Sequence, residues 1–268
     1  RMGSRLHASA ARGARGARAL LLALPLAAAL AACGPDGPGG PDGPDGPGSP
    51  GRPEGSKNPA GTPPNAPAAE PGALPVRVRS IPVGDHDVPA LEVGAEDAPA
   101  VLFLHGSRYT ANDWLANGTL ERVARAGWRA VAIDLPGFGG TGGLEVEHFS
   151  FLPQFISAAG LGRPVVVAPS MGGLYVITIL HQHSSELAGI VLVAPVAARS
   201  LKTDAPAGLP TLVLWGTEDD TIPVKMADLL LERIPGARLE LFEGGGHAFY
   251  FEQREAFHTL LLEFLSGL

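Results

Sequence analysis

Two hydrophobic patterns run along the chain from about Leu74 onward. The first is alternation. VRVRSIPVG and HDVPALEVG, within Val76 to Gly94, place apolar and polar residues in turn. That is the period of half-buried strands, and Asp85-His86-Asp87 reads as the turn that pairs them. From Ala100 the pattern changes to short continuous apolar runs, each closed by a turn signal: AVLFLHG, RAVAIDLPG, PVVVAPS, GIVLVAP and PTLVLWG. Such runs fit strands buried on both faces of a mostly parallel sheet. Helix-like segments lie between them, among them TLERVARAG (Thr119 to Gly127) and VKMADLLLERI (Val224 to Ile234). Strand and helix alternate, so the fold class is α/β, a mostly parallel central sheet of about eight strands flanked by helices. Ligands in such sheets bind at the carboxyl ends of strands. Chemistry is therefore expected just after each apolar run.

The first 73 residues follow neither pattern. Arg1, Arg5, Arg12, Arg15 and Arg18 precede the apolar stretch ALLLALPLAAALAAC, Ala19 to Cys33. A basic region, a short apolar region and small residues describe a secretory signal peptide over residues 1–32, and the apolar run falls short of the ~20 residues that span a bilayer. Leu30-Ala31-Ala32-Cys33 resembles a bacterial lipobox. That resemblance implies cleavage before Cys33, lipids on its sulfur and new amino group, and an exported protein anchored to a bacterial membrane, facing the periplasm or the cell surface. The alternative is ordinary signal cleavage that leaves Cys33 a thiol. Cys33 is the single cysteine, so no intrachain disulfide forms. Residues 33–73, with GPDGPGGPDGPDGPG, are too rich in Gly and Pro to bury a core and read as a tether. The globular domain is then 74–268.

Charge narrows the classes of partner. The formal net charge is −7, and the five leader arginines are accompanied by no acid. Without them, 15 of the 20 Lys and Arg remain against 27 Asp and Glu, or −12. An acidic chain without a basic cluster is no nucleic-acid binder by charge.

The stretch with the most specific chemistry is VVVAPSMGG, Val165 to Gly173. A buried strand ends at a serine hemmed in by small residues, and Leu174 to His181 reads as the helix that follows. Ser170 thus falls on a sharp strand-to-helix turn that holds a nucleophile proud of the sheet. Ala168 stands where G-x-S-x-G motifs have their first glycine; residues two before and two after the serine approach closely and must be small. A serine that merely caps a helix is the plain alternative. LWGTEDDTIP, Leu214 to Pro223, and LFEGGGHAFY, Leu241 to Tyr250, then supply an acid and His247, each beyond a strand end. Serine is a weak nucleophile until an imidazole takes its proton, and the imidazole needs a carboxylate to fix its tautomer. Asp219 and Asp220 compete for that acid. His181 and His183 lack a third ligand nearby, so no metal site is read.

These stretches resemble the α/β-hydrolase superfamily from roughly Val76 to Leu268, and within it the group typified by α/β-hydrolase domain-containing protein 14. LHGSRYTANDW, GTLERVARAGWRAVAIDLPGFG, VVVAPSMGGLY, VAP, GTEDD and GGGHAFY carry the resemblance. It implies an α/β-hydrolase fold and a Ser170-Asp219-His247 triad. Asp219 is preferred over Asp220 because it lies three residues after Gly216, the superfamily's spacing. It also implies an oxyanion hole made by the backbone N–H groups of Ser107, in the His-Gly turn, and Met171. His105 is structural in this reading, and Arg108, Tyr109 and Trp114 are packing residues. The resemblance further implies hydrolysis of small aryl esters and, from one member's type, lysine deacetylation that passes acetyl to coenzyme A. The leader, the tether and Gly172-Gly173, where the group tends to have Ser-Gly, depart from its pattern.

Val196 to Leu209 is too short for a helical cap, so the site is expected open and shallow. Gly137 to Val146 and Phe249 to Phe251 are the loops left to supply selectivity. The reading is an enzyme, a serine hydrolase of small acyl esters that works without cofactor. An acyltransferase or deacetylase passing acyl to another acceptor, perhydrolysis through the same triad, and a non-catalytic binding lipoprotein stand as alternatives.

Overall fold

The computed structural model describes residues 72–142 and 147–268. The expected leader with Cys33, the tether up to residue 71, and Gly143 to Val146 lie outside the described residues. Eight strands form one sheet: β1 Val76–Val83, β2 His86–Val93, β3 Ala100–Phe103, β4 Arg129–Ile133, β5 Val165–Pro169, β6 Gly189–Val193, β7 Thr211–Gly216 and β8 Arg238–Phe242. Their order is β1-β2-β4-β3-β5-β6-β7-β8. β1 runs antiparallel to β2, and β2 antiparallel to β4; the remaining pairs are parallel. The hairpin between β1 and β2 is tighter than the sequence suggests. His86 and Asp87 pair with Val83 and Pro82, and the turn is Gly84-Asp85. Gly84 takes φ +58°, the left-handed conformation that a two-residue hairpin demands.

The continuous apolar runs are explained by what covers the sheet. Along β3, Leu102 faces one core and Val101 and Phe103 the other; along β5, Val166 opposes Val165 and Val167. One core gathers Phe151 and Phe155 of α3 (His148–Ala159), Val176 of α4 (Gly172–Ile177) and Leu230 of α6 (Met226–Arg233). The other gathers Trp114 of α1 (Ala111–Ala116), Leu120 of α2 (Thr119–Arg125) and Phe257 and Leu261 of α8 (Arg254–Ser266). Period-two alternation vanishes along β3 to β7 because both sides of those strands are dry. The edge strand β8 is the least covered of the parallel strands, with Leu241 exposed.

The helix expected over Leu174 to His181 is broken. It forms α4 and the single turn α5 (Leu180–His183), with Thr178 capping the first. Val176-Ile177-Thr178-Ile179 is a β-branched run, poor in helix propensity, and the Thr178 hydroxyl donates back to the Leu174 carbonyl at 2.8 Å. Between β6 and β7 there is a single 3₁₀ turn, Ala198–Ser200, and Leu201 and Ala205 fold down into the core. Among the described residues no sizeable cap stands over the sheet.

One feature of the sheet has no hydrophobic signature. Glu92 on β2 is 0% exposed and Arg129 on β4 is 5% exposed. Arg129 Nη2 donates to Glu92 Oε1 at 2.8 Å, and Arg79 Nη1 reaches the same oxygen at 3.1 Å. Removing one partner of a buried pair strands the other charge in a dry site. Glu92→Ala is therefore expected to destabilise the fold by about 3–5 kcal/mol, and Glu92→Gln by less, as read from urea denaturation. A Glu92→Ala variant as stable as wild type would contradict a structural role for the pair.

Candidate active site

β5 delivers Ser170 in a strained backbone. Its φ is +45°, a value non-glycine residues rarely adopt. Three hydrogen bonds hold the turn: Ser170 N–H to Val193 O at 2.9 Å, and Val196 N–H and Gly173 N–H to Ser170 O at 2.8 and 3.0 Å. Two close approaches do the rest. A Cβ on Gly172 would stand 2.9 Å from Leu104 Cβ and 3.3 Å from His105 O, and one on Gly173 2.2 Å from Pro195 Cβ. The need for a glycine at 172 thus comes from Leu104 and His105, just past the end of β3, rather than from Ala168.

The loops after β7 and β8 bring the other two residues to the serine. His247 Nε2 lies 2.9 Å from Ser170 Oγ, and His247 Nδ1 lies 2.8 Å from Asp219 Oδ2. With Nδ1–H donating to the carboxylate, Nε2 is left to accept the serine proton. Asp219 has a fully buried side chain, and its Oδ1 accepts the N–H groups of Thr221 and Ile222 at 2.9 and 2.8 Å. Asp220 is exposed and meets only the Thr221 hydroxyl, at 3.3 Å. The two loops are laced together. Glu218 N–H donates to Gly245 O at 2.9 Å, and Gly244 N–H to the Thr217 hydroxyl at 2.9 Å. A Cβ on Gly216 would sit 2.2 Å from Gly245 O. The glycines before His247 serve this contact: Gly244 takes φ +66°, and Gly245 has no room beside Phe249 and Phe242.

Around the serine lies the turn after β3. A Cβ on Gly106 would stand 3.4 Å from Ser170 Cβ, so this turn abuts the elbow. The N–H groups of Ser107 and Met171 meet no acceptor among the described residues. His105 is buried and clamps the ends of β3 and β4: its Nδ1–H donates to Gly106 O and its Nε2 accepts from Leu135 N–H, both at 2.9 Å. Burial lowers its pKa below the ordinary imidazole value, which keeps it neutral, and these two hydrogen bonds select the tautomer. Trp114 is buried and donates to Leu104 O at 2.8 Å. Tyr109 packs on Phe251, ring centroids 4.6 Å apart. Arg108 does not pack; it is exposed and forms no ion pair among the described residues.

The glycine-rich loop is shaped by Asp134, a residue sequence reasoning passed over. Its carboxylate accepts Ala111 N–H and Gly140 N–H, both at 2.8 Å, and it leaves no space for a side chain at Gly139. The amides of Gly137, Phe138, Thr141 and Gly142 bond to neighbouring carbonyls, so they do not converge as an anion cradle. His181 and His183 meet Thr203 and Glu186 at the end of α5. No group of side chains among the described residues has a metal-holding arrangement. Phe249, expected in a selectivity loop, is instead buried in α7 (Phe249–Glu252) against Phe242.

A doubly covered sheet with a strained serine at one strand end and a histidine and an acid at two others defines an α/β-hydrolase. The chain belongs to that family, in the ABHD14 group. The sequence signature of the alpha/beta hydrolase fold matches residues 99–207. Human ABHD14B, whose name carries protein-lysine deacylase as its candidate activity, is 38% identical over 178 residues, 63% of this chain and 84% of the relative. Rat ABHD14A is 34% identical over 175 residues, 63% of this chain and 72% of the relative. Among solved structures, a CIB-like hydrolase from Thermoplasma acidophilum aligns over 73% of this chain and 100% of its own, with TM-score 0.67 and 27% identity. A serine hydrolase of carbazole degradation, CarC, aligns at 21% identity and TM-score 0.63, and shares the fold.

The two aspartates are separable by mutation. Asp219→Asn is expected to lower turnover of an aryl ester by about 10⁴-fold, as loss of the orienting carboxylate does in such triads, while Asp220→Asn leaves it near wild type. Steady-state kinetics on both variants decides; equal losses would contradict the assignment drawn from these hydrogen bonds.

Proposed function

We propose that this chain is a serine hydrolase of small acyl esters, working through Ser170, His247 and Asp219. The observation that carries the reading is the unbroken relay of 2.9 and 2.8 Å contacts from Ser170 Oγ through His247 to Asp219, set beside two unengaged backbone amides. As Ser170 Oγ bonds to the acyl carbon, its proton passes to His247 Nε2 and the carbonyl electron pair moves onto oxygen. The Ser107 and Met171 N–H groups receive that charge; each such donor supplies about 3 kcal/mol in related sites. The leaving alkoxide departs with the proton from Nε2, giving an acyl-serine. His247 then takes a proton from water as the water oxygen attacks the acyl carbon; the bond to Ser170 Oγ breaks, Nε2 returns that proton to Oγ, and the carboxylic acid leaves.

The absence of a cap favours short acyl groups over long chains, because nothing encloses an apolar tunnel. The name of human ABHD14B favours a second substrate, an acyl group on a lysine amine, cleaved by the same steps with an amine leaving. Water is the acceptor in our reading. The leader and the LAAC stretch support an exported protein, lipid-anchored through Cys33, and coenzyme A is a cytosolic cofactor. Its strong negative charge also suits an acidic chain poorly.

A fluorophosphonate probe is expected to label the wild-type protein and not Ser170→Ala. Ser170→Ala and His247→Ala are each expected to lower aryl acetate turnover by several orders of magnitude without unfolding the domain. Labelling that survives in Ser170→Ala would overturn the nucleophile. Adding coenzyme A is expected to leave phenol release unchanged and to yield little acetyl-coenzyme A; abundant, Ser170-dependent acetyl-coenzyme A would replace the hydrolase with a transferase. For the anchor, cells fed radiolabelled palmitate are expected to label the wild-type chain and not Cys33→Ser. An unlabelled, soluble wild-type chain would contradict export as a lipoprotein.

A further inference from the structure

Tyr250 is a buried polar group that the mechanism above does not use. It lies three residues past His247, is 2% exposed, and its ring packs among Trp114, Phe249 and Phe251 at centroid distances of 5.5, 5.9 and 4.5 Å. A phenol this deep normally finds a hydrogen-bond partner; Trp114 beside it does, at Leu104 O. The Tyr250 hydroxyl forms no hydrogen bond to protein among the described residues, and its oxygen is not one of the enclosed, unpartnered atoms, so the ring is buried while the hydroxyl keeps contact with solvent. Where that oxygen stands explains what it is for. It lies 3.7 Å from the point a Cβ on Gly106 would occupy, and Ser170 Cβ lies 3.4 Å from the same point. Gly106 has no side chain, so hydroxyl and nucleophile flank one bare Cα, next to Ser107. The carbonyl of Gly106 already accepts from His105 Nδ1–H and Tyr109 N–H, which uses both of its lone pairs. With no protein acceptor among the described residues, the hydroxyl is open to a group that arrives beside Gly106 and Ser170.

We propose that the Tyr250 hydroxyl is a third donor to the acyl oxygen, completing the oxyanion hole begun by the N–H groups of Ser107 and Met171. The proposal rests on Ser170 being the nucleophile. The hydroxyl donates a hydrogen bond and keeps its proton. Burial pushes its pKa upward, with Tyr109 and Asp113 adding to the effect, so it remains a donor across the working pH range. The cluster of aromatic rings fixes its direction, so no reorganisation is needed when charge develops.

The variant that tests this is Tyr250→Phe, which keeps the ring and removes an oxygen that satisfies no protein group. It is expected to lower kcat on an aryl acetate about a hundredfold, the loss that follows removal of one oxyanion donor, with KM little changed. Affinity for a short alkyl boronic acid, whose serine adduct carries the tetrahedral oxygen, is expected to fall by a similar factor. The thermal unfolding midpoint stays at the wild-type value. Wild-type kcat in Tyr250→Phe, or a rise in KM alone, while Ser170→Ala is inactive, would overturn the role of Tyr250 and leave the nucleophile standing. Turnover that persists in Ser170→Ala would instead overturn the serine mechanism, and the Tyr250 proposal with it.

Discussion

The 2.8 Å hydrogen bond between His247 Nδ1 and Asp219 Oδ2 is the contact on which the rest of the site depends. It ties together two loops that leave different strands, and it decides which ring nitrogen faces Ser170. Its geometry is set by backbone, not by the two side chains. Gly216 has the Gly245 carbonyl where a Cβ would go, and the Thr217–Gly244 and Glu218–Gly245 hydrogen bonds hold the loops in register. On its far side Asp219 is gripped by two backbone N–H groups. The carboxylate is thereby fixed before any substrate arrives, the preorganisation that makes such a relay effective.

A strained serine needs a rigid frame, and the sheet supplies it. Val165, Val166 and Val167 are each fully buried, on alternating faces. The Val193 carbonyl of β6 receives Ser170 N–H, and Val196 just past β6 bonds back to Ser170 O. Distorting the elbow toward a relaxed φ would break contacts in both cores at once. On the neighbouring side, the neutral His105 pins the β3 turn to Leu135, so the amide of Ser107 and the serine belong to one rigid unit. What remains soft is outside this frame. Among the described residues no cap covers the elbow and Arg108 is exposed, so the serine faces loops rather than a preformed tunnel.

The strands were legible in the sequence for a physical reason: residues buried on both faces leave unbroken apolar runs, and the turn signals after them mark the strand ends. Ser170 and Asp219 stand just past such runs, and His247 is marked instead by the three glycines before it on the loop after β8. Finer features depend on tertiary contacts that no local pattern reports. The Glu92–Arg129 pair bridges β2 and β4; Glu92 looks like the polar half of an alternating strand and Arg129 like the polar edge of an apolar run. The hairpin turn was misplaced because Asp85-His86-Asp87 is the more polar stretch, whereas backbone conformation selects Gly84-Asp85. Arg108 sits within an apolar-aromatic motif and yet points outward. Tyr250 looks like any core aromatic until the empty side of Gly106 is seen beside its hydroxyl.

The central claim is that Ser170 carries the acyl group covalently between two proton transfers by His247. Rapid quenching during turnover of an aryl acetate, followed by mass spectrometry of the digested protein, measures this directly. The account predicts one added acetyl mass on the peptide bearing Ser170, appearing with a burst of phenol and decaying as water clears it. Turnover without any acylated Ser170 peptide, or an acetyl group residing on another residue, would contradict it.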